Sequence, residues 1–136
     1  MLQLRITIEC DYALRIVLYL ARLGTENKAD AATIAEVQKI PQRFSSKILR
    51  KLTLGGIIRS YKGVKGGYSL QKLPEDITML EIVELIDGDV EVTRCIDTDY
   101  DCSCGDRAAC PIHYELASIN HYLKEKLGSV NFASFL

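Results

Sequence analysis

The sequence predicts a mainly α fold: a helix–turn–helix carrying a two-stranded wing, followed by a long C-terminal dimerisation helix. Three observations lead there. Apolar residues recur at helical spacing in successive stretches bounded by capping residues and glycines. A β-branched run and a short returning run flank a glycine-rich turn. Between Val37 and Pro74 the chain carries nine Lys/Arg and no Asp or Glu, whereas 18 acids spread evenly over 136 residues would place about five in that stretch.

The charge is also divided along the chain. Residues 1–70 hold 12 basic and 5 acidic side chains, a net of +7, while residues 71–136 hold 5 and 13, a net of −8. The overall charge of −1 hides this dipole. One half is suited to a polyanion and the other is not, which fits a nucleic-acid reader with a separate control segment. At 48% hydrophobic and 26% charged, the composition is that of one ordinary globular chain with a real core. No stretch approaches the roughly 18 apolar residues of a membrane span, and Met1 to Tyr12 lacks a signal-peptide pattern. A cytoplasmic protein is expected, with its five cysteines as thiols. Four of them, Cys95, Cys102, Cys104 and Cys110, fall within 16 residues, and such crowding points to metal.

The first helix is expected from Glu9 to Leu23. Tyr12, Arg15, Tyr19 and Arg22 mark its polar side, and Leu14, Val17, Leu18 and Ala21 a broad apolar face. Asp30 then caps a short second helix, Ala31 to Gln38, which Ile34 and Val37 anchor inward. Pro41 suits the first position of a third helix, since its missing amide hydrogen has no intrahelical partner there, and Gly55-Gly56 stops that helix. Phe44, Ile48, Leu49 and Leu52 form one stripe, with Arg43, Ser46, Lys47 and Arg50 opposite.

Ile57 to Tyr61 reads as a strand, Lys62 to Gly67 as the turn and Tyr68 to Leu70 as the return. This wing places Lys62 and Lys65 at its tip, where phosphate or a narrow minor groove would lie; a merely solvated hairpin is the alternative. Residues 1–74 thus make a winged helix-turn-helix DNA-binding domain. Residues 75–136 make a cysteine-rich sensor loop and dimerisation helices, one compact unit with the first helix. Thr78 caps a fourth helix reaching Ile86, with Leu80, Ile82, Val83 and Ile86 apolar. Asp89 to Cys110 has little periodicity, which a bound metal centre would explain. The last helix, about Ile112 to Leu127, sets Ile112, Leu116, Ile119 and Leu123 at alternating four- and three-residue steps. So apolar a seam needs a partner, either the first helix or the same helix of a second subunit. The second is favoured, because two-fold readers present two recognition helices one duplex turn apart.

The order of these elements, with Asp11-Tyr12-Ala13-Leu14-Arg15 near the start, Tyr61 to Leu70 in the wing and Leu73-Pro74-Glu75-Asp76-Ile77-Thr78 after it, resembles the Rrf-two family of bacterial transcription regulators across nearly the whole chain. The resemblance implies a homodimer on a partly palindromic double-stranded DNA operator, more commonly as a repressor. The third helix would enter the major groove with Arg43, Ser46 and Lys47 toward base edges, and Arg50, Lys51, Arg59, Lys62 and Lys65 on phosphate. Gln42, Gly66 and Tyr68 complete the expected DNA-facing set. Ser46 stands where some members carry a glutamate, so operator preference does not transfer.

Sensor members of the family hold an iron–sulfur cluster with three cysteines, the second and third separated by five residues. By that resemblance Cys95, Cys104 and Cys110 are the ligands, with Cys102 a spare thiol or substitute. His113 and Asp11 match positions from which members take a further histidine or a carboxylate of the opposite subunit, so both a 2Fe–2S and a 4Fe–4S centre stay open. Soft thiolates suit such a centre. Zinc on Cys95, Cys102, Cys104 and Cys110 is an alternative, although Cys-x-Cys is tighter than usual zinc spacing. Metal-free thiols, open to oxidation, are another. Cys10 reads as a packing residue and His121 as surface.

Two functions follow. One is a cluster-controlled regulator. The other is a metal-free or zinc-containing repressor governed by a protein co-regulator or by thiol oxidation, with the acidic half as docking surface. An enzyme is not expected, because there are two histidines, no nucleophile–base motif, and no Lys-Ser/Thr ending to the glycine-rich turn.

Overall fold

The computed structural model describes residues 5–97, 103 and 105–136. Helix α1 runs Ile8–Leu23, with the Thr7 side chain capping it by accepting from the Cys10 amide. Glu9 and Asp11 lie in its first turn, where the helix dipole favours negative charge. Its buried residues are Cys10, Ala13, Ile16, Val17, Leu20 and Ala21. Val17 and Ala21 were expected there, but Leu14 and Leu18 are only half-buried at the flank. The small side chains Cys10, Ala13 and Ala21 explain the rotation, for α1 is enclosed by α2 (Ala31–Gln38), α3 (Gln42–Leu54) and α4 (Met79–Asp87), and close approach needs little volume.

Asp30 caps α2 by accepting from the Thr33 amide at 2.7 Å. Ile34 is buried as expected, but Val37 is 52% exposed. The difference lies in the exit: Lys39 takes a left-handed conformation (φ 54), which turns Ile40 into the core in place of Val37. Pro41 stands just before α3 rather than inside it, its carbonyl accepting from the Phe44 and Ser45 amides. Within α3 the buried line is Ser45, Ile48, Leu49 and Leu52. Phe44 is half-buried, edge-on to Tyr12 at 5.9 Å. Ser45 tolerates full burial because its hydroxyl donates to the Gln42 carbonyl.

Strands β1 (Ile58–Tyr61) and β2 (Gly67–Leu70) pair antiparallel, with Ile58 opposite Leu70 and Tyr61 opposite Gly67. Ala29 bridges to Tyr68, tying the wing root to the residue before the α2 cap. Two wing glycines are demanded by the protein's own backbone. A Cβ at Gly66 would lie 2.3 Å from the Tyr61 carbonyl oxygen, and one at Gly67 2.9 Å from that of Ala29.

Thr78 caps α4, whose Ile82, Val83 and Ile86 are buried. Helix α5 (Pro111–Ser129) has a single buried residue, Asn120, and its expected seam is open at three of four positions: Ile112 is 69% exposed, Ile119 49% and Leu123 41%, while Leu116 is half-buried. Sequence periodicity gave no warning of the tail after α5. There the Met79 amide donates to the Val130 carbonyl, the Phe132 amide donates to the Ile77 carbonyl, and Phe132 is buried.

Candidate functional site

The acid-free stretch forms a solvent-facing surface. Gln42, Arg43, Ser46, Lys47 and Arg50 are exposed along one side of α3, and Arg59, Lys62 and Lys65 are exposed on the wing. The opposite side of α3 is spent on the core, so these polar groups have nowhere to point but outward. Arg43 lies over the Phe44 ring at 4.9 Å, which limits its rotamers. Gly66 is half-buried in the turn. Tyr68 is half-buried and packs on the core from β2. Lys72 is drawn away from this surface by a 2.5 Å pair with Glu81.

Two contributors escaped sequence reasoning. Lys28, outside the acid-free stretch, sits 4.5 Å over the Tyr61 ring and adds a cation at the wing. The Ser69 hydroxyl, and then the charges of Arg59 and Lys28, hold the Tyr61 phenol below its usual pKa. Glu9 of α1 reaches α3 and pairs with Lys51 at 3.1 Å and Lys47 at 3.7 Å, so Lys51, expected to face phosphate, is instead half-buried in an ion pair with its own chain. Glu9 stands in the first turn of α1, and sequence alone does not fix the docking of that turn on α3.

The N-terminal turn of α1 also meets the start of the cysteine loop. The Thr7 amide and hydroxyl donate to the two Asp87 carboxylate oxygens at 3.2 and 2.5 Å, at the end of α4. Burial, then the charge and hydrogen bond of Asp87, push the Cys10 thiol up to about 12, so Cys10 is a protonated packing residue. Asp11 is exposed and pairs with Arg15 at 3.4 Å, and Arg15 in turn donates to the Gln38 carbonyl at the end of α2.

Of the expected cysteine ligands, Cys102 and Cys104 lie outside the described residues. Cys95 sits in a 3-10 turn, Arg94–Ile96, that packs against α5. The Asn120 side-chain oxygen fixes this segment by accepting from the Val92 amide at 2.9 Å. Cys110 is the N-cap of α5, its sulfur accepting from the His113 amide. The His113 Nδ1 is buried without a hydrogen-bond partner among the described residues. A metal ion would satisfy such an orphaned nitrogen, and two thiols with an imidazole are donors suited to iron or zinc. The donor chemistry therefore fits a metal centre, although no three such donors converge among the described residues. His121 is exposed beside Glu125.

A family profile described as "Iron-dependent Transcriptional regulator" matches residues 6–136. The chain belongs to the Rrf-two (Rrf2) family. An Rrf2-like HTH-type transcriptional regulator of Rhodobacter capsulatus is 36% identical, covering 84% of this chain and 80% of its own. The HTH-type transcriptional regulator IscR of Photorhabdus laumondii is 31% identical over 76% of this chain and 63% of its own. Among solved structures, CymR, the global cysteine regulator of B. subtilis, superposes with a TM-score of 0.78 at 24% identity, covering 98% of this chain and 96% of CymR, a likeness of fold. This Rrf2 protein is therefore a DNA-binding transcription regulator and not an enzyme. No helix among its described residues is long and apolar enough to cross a membrane.

Proposed function

We propose that this Rrf2 regulator is a homodimeric repressor whose operator affinity is set by an iron–sulfur cluster in the cysteine loop. The observation that carries the reading is the acid-free, outward-facing cation row on α3 and the wing, joined in one chain to thiols lodged against a helix with an open apolar seam. In this reading Gln42, Arg43, Ser46 and Lys47 face base edges. A bidentate Arg–guanine pair discriminates by about 1–3 kcal/mol, whereas Arg50, Arg59, Lys62 and Lys65 on phosphate give affinity without sequence choice. The exposed α5 stripe, Ile112, Ile119 and Leu123, meets the same stripe of a second copy, which fixes the distance between two recognition helices.

Cys95, Cys104 and Cys110 hold the cluster, with Cys102, His113 or the partner chain's carboxylate from position 11 completing the set. His113 has the strongest support, because its buried nitrogen lacks a protein partner among the described residues. When bound, the cluster supplies a redox- and ligand-sensitive centre. The chain's own contribution is mechanical: Asn120 and Cys110 tie the loop to α5, and Asp87 ties the other end of the loop to α1. A change at the loop therefore bears on both the seam and the helix under α3.

The test is anaerobic purification with iron and acid-labile sulfide analysis, followed by salt titrations of duplex binding for the parent and for Cys95→Ala, Cys104→Ala and Cys110→Ala. A coloured, iron-loaded parent whose variants lose iron and change DNA affinity is expected. An iron-free parent, with variants that bind as it does, overturns cluster control and leaves zinc, thiol oxidation or a protein co-regulator to set the switch.

A further inference from the structure

Glu9 is the acid that the basic surface lacks. It sits in the first turn of α1, and its side chain is 20% exposed between two lysines of α3 one turn apart. The two pairs differ in kind. Lys51 is 3.1 Å from Oε1 and its own side chain is 34% exposed, so both partners are largely withdrawn from water. Lys47 is 3.7 Å from Oε2 and 62% exposed, a loose pair that water competes for. Exposed pairs are weak, and a shielded one is harder to separate.

We infer that Glu9 is a specificity-determining residue: it keeps Lys51 off phosphate and holds Lys47 back from nonspecific backbone contact until a matching base edge draws it away. The inference rests on the DNA-facing role proposed for α3. Its physical basis is that indiscriminate duplex affinity comes almost wholly from cations that neutralise phosphate. Lys51, held in the shielded pair, does not contribute to that affinity, and Lys47 contributes less than a free lysine would, while Arg50, Arg59, Lys62 and Lys65 have no acid within pairing distance among the described ion pairs. A carboxylate placed under a recognition helix lowers affinity for every sequence. It lowers affinity least for the sequence whose base edges can compete for Lys47, so the ratio between specific and random DNA rises.

The test measures binding of the full-length protein to a random-sequence duplex, and to a duplex selected by the parent from a randomised library, across a range of salt. For Glu9→Gln the random-duplex slope should steepen by about 0.9 for each lysine released, with random-duplex affinity rising about tenfold near 0.1 M salt. The selected duplex should gain less, so discrimination falls. Lys51→Gln alone should leave the parent's slope unchanged, because that lysine is already withheld. Adding Glu9→Gln to a Lys47→Gln/Lys51→Gln protein should change nothing, which separates action through the lysines from a diffuse loss of negative charge. Circular dichroism and a melting curve for each variant establish that the fold is kept. The inference is overturned if Lys51→Gln flattens the slope by about one ion, if Glu9→Gln leaves both duplexes unaffected or raises them equally, or if its effect persists without the two lysines. A parent that binds no duplex at any salt overturns the DNA-facing role itself, and this inference with it.

Discussion

Helices α1 and α5 are the two long helices, and they spend their apolar residues in opposite ways. Across 16 residues α1 buries six, while α5 buries only Asn120 across 19 and leaves Ile112, Tyr114, Ile119, Tyr122 and Leu123 in solvent. Nothing in the spacing alone separates them, for both recur at helical steps. The difference is what surrounds each: α1 is ringed by α2, α3, α4 and β2, whereas α5 meets α4 and the 3-10 turn at Cys95. A helix enclosed by its own chain is structural. One with an open stripe is held for something else.

The sharpest break in this contrast comes from paired core and seam substitutions. Ile16→Ala removes fully buried volume from α1 and should cost about 2–5 kcal/mol in denaturant unfolding, with loss of DNA binding as the folded fraction falls. Ile119→Glu with Leu123→Glu should leave the melting curve of the monomeric unit within about 0.5 kcal/mol. It should yield a monomer by sedimentation and weaken operator binding about 100-fold, as one recognition helix replaces two. If that double variant unfolds instead, the stripe belongs to the chain's own core and the contrast fails.

Asn120→Ala probes the one fully buried residue of α5, which ties that helix to the segment before Cys95. It leaves the Val92 amide without its acceptor, a loss of about 1 kcal/mol, and should speed hydrogen exchange between residues 90 and 97 without touching α1. The smallest effect concerns Cys10. Its folded pKa, about 12, stands above the 9.0 of a free thiol, so the folded state keeps a proton that the unfolded state releases. That contribution is complete below pH 9 and is lost as pH rises toward 12. Urea midpoints measured from pH 8 to pH 10 should therefore fall less in Cys10→Ala than in the parent, and the parent thiol should resist labelling at pH 8 until the protein is unfolded.

Elements with capping residues and clean periodicity are legible in the sequence: Asp30, Thr78 and Gly55 set helix limits, and the glycine-rich turn sets the wing. The errors are of two kinds. Periodicity points Val37 and Leu14 inward because it gives a face and not which neighbour covers it; the left-handed Lys39 and the small Cys10 and Ala13 decide that in three dimensions. Ser45 reads as polar by its hydroxyl, yet it lies in the core because a local carbonyl satisfies it. In the site, the cation row was visible as composition, since no acid interrupts it from Val37 to Pro74. Glu9 and Lys28 were not, for each reaches the surface from a distant stretch of chain through tertiary packing.

The tail that follows α5 gives this architecture a lever. Val130 and Phe132 clasp the entrance of α4 through the amide of Met79 and the carbonyl of Ile77, and Asp87 at the exit of α4 grips Thr7. The nine-residue α4 is thus fastened at both ends, at one by the tail that follows α5 and at the other by the turn that opens α1, the helix whose Glu9 pairs with Lys47 and Lys51 of α3. A displacement of α5 that carries its tail along therefore bears on the entrance of α4 and, through Asp87, on the first turn of α1.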